Sequence, residues 1–202
     1  GSLGKRLGYH MFVSTTIGYE EVSVEPEYSY CLNSGSDTDQ IPFMLLNLNW
    51  DHRDLIEFPT SGFYLSLTGI KNGFPNYSVD YFRFNLDSRV YIPLLNSSTL
   101  ALRTASTLSF GKVPLYDLVY FGYEERVRGY FSKKFEGENR LLFSSSFRFP
   151  LIPVRYYNLG DLPELQNLKF GVSGSIFMDS GYIWNQEDTF DRSQLNTGFG
   201  VG

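Results

Sequence analysis

The chain has 202 residues, of which 42% are hydrophobic, 17% aromatic and only 19% charged, with a formal net charge of -5. No apolar run approaches the roughly 20 residues that a membrane helix needs, and the acidic balance lacks the Lys/Arg cluster of a nucleic-acid surface. A single cysteine, Cys31, and two separated histidines, His10 and His52, exclude a disulfide framework and a Cys/His zinc site.

The first residues, Gly1 to Lys5, precede no apolar leader, so the expectation is that the mature chain starts upstream or that this is an excised piece. From there the dominant period is two. Residues 9–20 alternate loosely. Residues 43–51 set Met44, Leu46, Leu48 and Trp50 against Asn47, Asn49 and Asp51. Residues 63–70 again alternate loosely. In 77–91, Phe82, Phe84, Leu86 and Val90 oppose Arg83, Asn85, Asp87 and Arg89. Residues 100–110 set Leu100, Leu102, Leu108 and Phe110 against Arg103, Thr107 and Ser109. In 141–151, Leu141, Phe143, Ser145, Phe147 and Phe149 face away from Ser144, Ser146 and Arg148. In 170–179, Val172, Gly174, Ile176 and Met178 oppose Ser173, Ser175, Phe177 and Asp179. A further strand begins near Leu195. The expectation is an all-β chain of about eight antiparallel strands with no helix.

Two architectures share this alternation. A soluble sandwich, acting as a binding module, buries the apolar face under a second sheet. A transmembrane barrel turns that face to lipid and keeps the polar face in its lumen. The strands run to about 10 residues or more, enough to cross a bilayer at a tilt and longer than the usual 5 to 6. Arg83, Asp87, Arg89 and Arg103 sit mid-strand, which suits a wet interior and reads as a lumen charge network rather than a catalytic group. Aromatics such as Trp50, Tyr77, Tyr91, Tyr182 and Trp184 gather at strand ends, as interfacial girdles do. Short connections (59–62, 93–98) tend to alternate with longer polar loops (25–40, 121–139, 185–194), although 71–76 is short and 150–167 long. The barrel is favoured. The run Ser144-Ser145-Ser146 has neither the glycine context nor the histidine partner of a nucleophile.

Three short segments carry a resemblance. Val127-Arg128-Gly129-Tyr130, in the longest loop, is similar to the V-R-G-F/Y motif of the BamA/TamA superfamily of outer-membrane assembly factors. Asp51-His52-Arg53-Asp54, followed by Pro59 and Gly62, resembles that family's D-x-R-D…P-x-x-G turn. Phe177-Met178-Asp179-Ser180-Gly181-Tyr182-Ile183-Trp184 resembles its late-strand F-x-D-x-G-x-V-W motif. The resemblance implies one barrel domain over 1–202, open at both ends and drawn from a barrel of about sixteen strands. It implies insertion or translocation of unfolded outer-membrane proteins, in contact with a lipid bilayer and with accessory assembly subunits, without catalytic residues, metal or cofactor. A bacterial outer membrane fits better than an organellar one. Two-partner-secretion transporters and barrels fused to a patatin-type lipase share the late motifs and stay open as alternatives.

The chain departs from the family at Gly122-Tyr123, where a Gly-Gly pair is usual, and at Ser146, where an acidic residue is common. A loop arginine is by default solvated. The resemblance instead implies that Arg128 folds into the lumen and pairs with Asp179, with Val127, Gly129, Tyr130, Phe177 and Gly181 completing a loop–wall lock. Parity places Asp179 on the polar face, and Ser146 is expected beside it. Asp51, Arg53, Asp54, Pro59 and Gly62 are expected to form an ordinary hairpin turn. The glycines from Gly171 onward thin the late strands, for close packing or for a pliable wall.

Overall fold

Period-two sequence becomes eleven antiparallel strands in the computed structural model, which describes residues 1–122, 125–130, 135–157, 168–189 and 191–202. They are β1 (Ser2–Arg6), β2 (Met11–Ser23), β3 (Thr38–Asp51), β4 (Gly62–Gly73), β5 (Asp80–Pro93), β6 (Thr99–Lys112), β7 (Val119–Phe121), β8 (Phe135–Gly137), β9 (Asn139–Tyr157), β10 (Leu168–Trp184) and β11 (Asn196–Val201). Nine form one sheet in the order β1-β2-β3-β4-β5-β6-β9-β10-β11, and β7 and β8 form a small hairpin of their own. Among the described residues the only helical pieces are short 3-10 turns, and no helix is long and apolar enough to cross a membrane. Among the described residues no second large sheet covers the apolar face, so the sandwich alternative fails.

The nine strands of the sheet agree with the expected eight or so, the extra one being Ser2–Arg6, which pairs with β2 ahead of the first expected strand. Two sequence expectations need correction. The long loop before β9 contains the β7–β8 hairpin, and Tyr123 lies outside the described residues. The expected loop over 150–167 begins later, because β9 runs to Tyr157 through Pro150 and Pro153. Proline lacks the N–H that a regular ladder uses, and is tolerated where the ladder is irregular. Such an irregularity occurs here, where the pairing shifts register between Phe170, Val172 and Ser173. Residues 158–167 lie outside the described residues.

Hairpin connectivity puts the connections 24–37, 74–79, 113–138 and 185–195 on one side of the sheet. The turns 7–10, 52–61 and 94–98 lie on the other. The sheet curls around its polar face: Arg148 of β9 reaches the Pro59 carbonyl in the β3–β4 turn at 3.5 Å. On the longer-loop side, fully buried Asp39 accepts hydrogen bonds from the Asn33 and Ser34 amides, the Ser78 hydroxyl and the Tyr116 hydroxyl at 2.8–3.0 Å. It thereby gathers three connections over the Ile41, Val79, Tyr81 and Val113 cluster. Burial, then the hydrogen bond to the Asp39 carboxylate, pushes the Tyr116 phenol up from its ordinary range.

The opposite face is apolar and exposed, with Phe82, Leu141, Phe147, Ile176 and Met178 among its side chains. If that face meets lipid, Phe147→Arg or Phe84→Arg in the full-length protein should cost about 2–4 kcal/mol near the bilayer midplane. Asn85→Ser, on the polar face, should cost little. Folding titrations in lipid vesicles check this, and equal costs on both faces would reject the orientation.

Candidate functional site

The polar face is organised in rows that follow from strand register. One row reads Arg89 (β5), Arg103 (β6), Ser144 (β9), Asp179 (β10) and Gly198 (β11). The next row toward the longer loops reads Asp87, Ala105, Leu142, Gly181 and Asn196. The row on the other side reads Tyr91, Ala101, Ser146, Phe177 and Gly200. The register corrects one expectation: Ser144, not Ser146, stands opposite Asp179, and Ser146 faces Phe177.

The segment 125–130 lies across these rows. Glu125 turns the chain by accepting the Gly122 amide at its carbonyl, 2.9 Å away, and the Tyr130 amide donates to the Val127 carbonyl at 3.1 Å. Between them Gly129 takes φ +99, a left-handed conformation that glycine adopts without a Cβ penalty. Val127 is buried with Phe121, Ala105 and Leu142, and Tyr130, Phe135 and Ile183 pack around that group. Gly181 makes the seat. A Cβ there would come 2.8 Å from the Phe121 ring and closer still to a Val127 methyl. Gly198 leaves room in the same way for the Arg128 carbonyl.

With the backbone so held, Arg128 meets Asp179. Its Nε and Nη2 donate to the two carboxylate oxygens at 2.7 Å each, and its amide donates to Oδ2 at 3.0 Å. The guanidinium carbon stands 3.6 Å from the centre of the Phe177 ring, one row away. Asp179 is 1% exposed, so its charge is compensated within the protein. The fork geometry engages both carboxylate oxygens at once, which an ammonium cannot do. All seven residues expected of the lock, Val127, Arg128, Gly129, Tyr130, Phe177, Asp179 and Gly181, fall within this one contact region.

A second ion pair runs with the charges exchanged. Glu125 of the loop accepts from Arg103 of the wall at 2.5 and 3.0 Å. Arg103 also donates to Asp87 at 2.8 and 3.1 Å, and Arg89 holds the same carboxylate at 2.7 and 3.0 Å. The expected lumen network of Asp87, Arg89 and Arg103 is therefore continuous with the loop. Arg83 stands apart from it, pairing with Asp117 at 2.9 Å.

The turn residues form their own group. Arg53 donates from Nε and Nη2 to Asp51 at 2.8 and 2.6 Å and lies over the Tyr64 ring. Asp54 accepts from the amides of Leu55, Thr60 and Ser61 and from the Thr60 hydroxyl. Burial pushes the Asp54 carboxyl up, but the Thr60 hydroxyl and these amides prevail and bring it down to about 2. Gly62 has φ +97, and a Cβ would collide with the His52 carbonyl. Pro59 is buried, and its carbonyl faces Arg148. This group lies on the side of the sheet away from the Arg128 loop and shares no contact with the Arg128–Asp179 pair.

The sequence profile of the Omp85 superfamily domain matches residues 2–202. The chain belongs to the Omp85 superfamily. Its fold is similar to that of BamA from Haemophilus ducreyi lacking POTRA domains 1-3, with a TM-score of 0.70 at 18% identity. The match covers 99% of this chain and 46% of that one, so the chain spans less than half the length of the matched structure. No curated protein matches the sequence. Within the Omp85 superfamily such a sheet is an outer-membrane β-barrel wall. The curled polar face is then the lumen, and the loop carrying Arg128 lies inside it.

Sequence reasoning missed Glu125, Ala105, Leu142 and Asp39. A signal existed for Ala105 and Leu142, since both are apolar at positions whose parity belongs to the polar face. Such a break in alternation marks where something other than water covers the wall. Glu125 had no local signal, because its partner is 22 residues away on β6.

Three outcomes follow. Arg128→Ala strands the buried Asp179 carboxylate, at a cost of about 3 kcal/mol or more, whereas Asp179→Ala leaves an arginine that solvent can reach and should cost less. The double variant should cost less than the sum of the two, and Arg128→Lys should rescue only in part. Heat-modifiable gel mobility of the full-length protein reads this cycle, and strict additivity would show the pair to be energetically idle. Gly181→Ala should displace Val127 and cost about 1–3 kcal/mol through overpacking, although it removes no charge; wild-type melting would refute that seat. At the turn, the Asp54 carboxyl lies below the ordinary value of about 3.9. Its contribution is therefore present above about pH 4 and lost as pH falls toward 2. Amide exchange at Thr60 and Ser61, corrected for intrinsic rates, should quicken over that range, and Asp54→Asn should remove the dependence.

Proposed function

We propose that this barrel inserts or translocates unfolded polypeptides at a bacterial outer membrane, with the loop–wall lock setting the shape of its lumen. The observation that supports it most directly is the Arg128–Asp179 fork, two 2.7 Å hydrogen bonds that fix a loop on the inner wall of an Omp85-superfamily barrel. The loop is bound to the wall at three places, through Glu125, Val127 and Arg128. A barrel that must admit or release polypeptide gains from this, because one discrete contact set can hold the wall in a single arrangement. The partners are the lipid bilayer, unfolded outer-membrane polypeptides and accessory assembly subunits. The lock residues act by position and make no bond to substrate.

The test is reconstitution. Full-length protein in lipid vesicles should speed the folding of a urea-unfolded outer-membrane β-barrel polypeptide, read by its acquired protease resistance, by about tenfold or more over empty vesicles, roughly 1.4 kcal/mol of barrier. Arg128→Ala, assayed on molecules whose barrel has folded, should lose most of that gain. No acceleration by the wild-type protein would overturn the proposal. Orientation is checked separately on intact cells. After removal of Cys31, cysteines at Ser36 and Asp188 should react with an impermeant thiol reagent, whereas those at Thr60 and Ser97 should not.

A further inference from the structure

Beside the lock, the lumen wall is hollow. Ala101 and Ser146 occupy neighbouring positions of one row, with Ser144 one row away. These three small side chains leave a cavity of about 330 Å³. That is room for a small polyatomic solute, given that a water in the liquid occupies about 30 Å³. The cavity is lined by five arginines and two carboxylates, in a chain whose overall charge is -5.

Two of those arginines have hydrogen-bonding capacity left over. Arg128 spends its amide, Nε and Nη2 on Asp179, and no acceptor among the described residues takes its Nη1. Arg148, one row further from the lock and on the same face of β9, is half-buried. It sits against the rings of Phe58 and Tyr91, with a long 3.5 Å contact to the Pro59 carbonyl. Among the described residues no carboxylate lies within ion-pair distance of it. A partly buried guanidinium in a neutral cage is costly unless a counter-charge reaches it. Its neighbours can supply hydroxyl donors but no negative charge.

We propose that this hollow is a binding site for a small multiply charged anion presenting carboxylate or phosphate oxygens. Arg148 holds it from one end, Arg128 Nη1 from the other, and the Ser146 hydroxyl holds it from the wall. Planar guanidinium forks suit such oxygens. The site touches Arg128 on the edge that Asp179 does not use, so an occupant braces the lock rather than competing with it. The proposal is independent of what the barrel handles, and would stand if reconstituted insertion failed.

The experiment uses full-length protein in a non-ionic detergent at constant ionic strength set with sodium chloride. Phosphate and citrate are titrated in parallel, by calorimetry and by the melting temperature of the heat-modifiable band. Saturable binding with a rise in melting temperature is expected for at least one. A stronger response to citrate assigns an organic carboxylate, and a stronger response to phosphate assigns a phosphate. Arg148→Gln should weaken binding at least about tenfold. Ser146→Glu, which brings a carboxylate into the hollow beside Arg148, should abolish binding while keeping or raising the anion-free melting temperature, so that lost binding is not lost folding. Equal responses in the wild-type and Arg148→Gln proteins, or none beyond chloride, would overturn the proposal.

Discussion

A carboxylate buried on the inner wall of a sheet must find its counter-charge inside the protein, and Asp179 finds it in Arg128. Much of the loop geometry follows from that requirement. The guanidinium can reach Asp179 only if the chain enters the lumen at Glu125, buries Val127 and reverses at Gly129. Each of those steps uses a particular residue: a carbonyl that closes a turn, an apolar side chain with an apolar seat, and a backbone that tolerates φ +99. Glycines at 181 and 198 then let the loop approach the wall at distances a Cβ would forbid.

Charge exchange gives the arrangement its specificity. The loop offers an acid, Glu125, to a basic wall position on β6, and a base, Arg128, to an acidic wall position on β10. Sliding the loop by one row would bring like charges together or leave Asp179 without a partner. A shielded ion pair contributes little net stability against an apolar substitute, but it discriminates strongly between correct and incorrect placement. Orientation of the loop is therefore the property these pairs best explain. Adhesion comes from the Val127 cluster, where apolar surface leaves water.

The two ends of the sheet solve the same problem differently. On the longer-loop side Asp39 collects amide and hydroxyl donors from three connections, so backbone and side-chain groups that would otherwise compete for water are satisfied at one buried carboxylate. On the short-turn side Asp54 caps its own turn, and Arg53 is held by Asp51. Between them the row through Arg103 and Asp179 carries the two ion pairs to the loop, and Arg148 takes part in neither.

The main strands, the polar and apolar faces and the placement of Asp179 on the inner face could be read from the sequence, because a strand's side-chain direction depends only on parity. The motif residues around Arg128, Asp54 and Asp179 were legible too, as short patterns that resemble a family. What parity cannot supply is register. Whether Ser144 or Ser146 stands opposite Asp179 is settled by how β9 and β10 slide along each other, which depends on every pair in the ladder and on the irregularity near Pro150. The same holds for the partnership of Glu125 with Arg103, for the seat that Ala105, Leu142 and Gly181 make for Val127, and for the hollow beside Arg148. Each is a meeting of strands distant in sequence, and only the folded sheet brings them into one row.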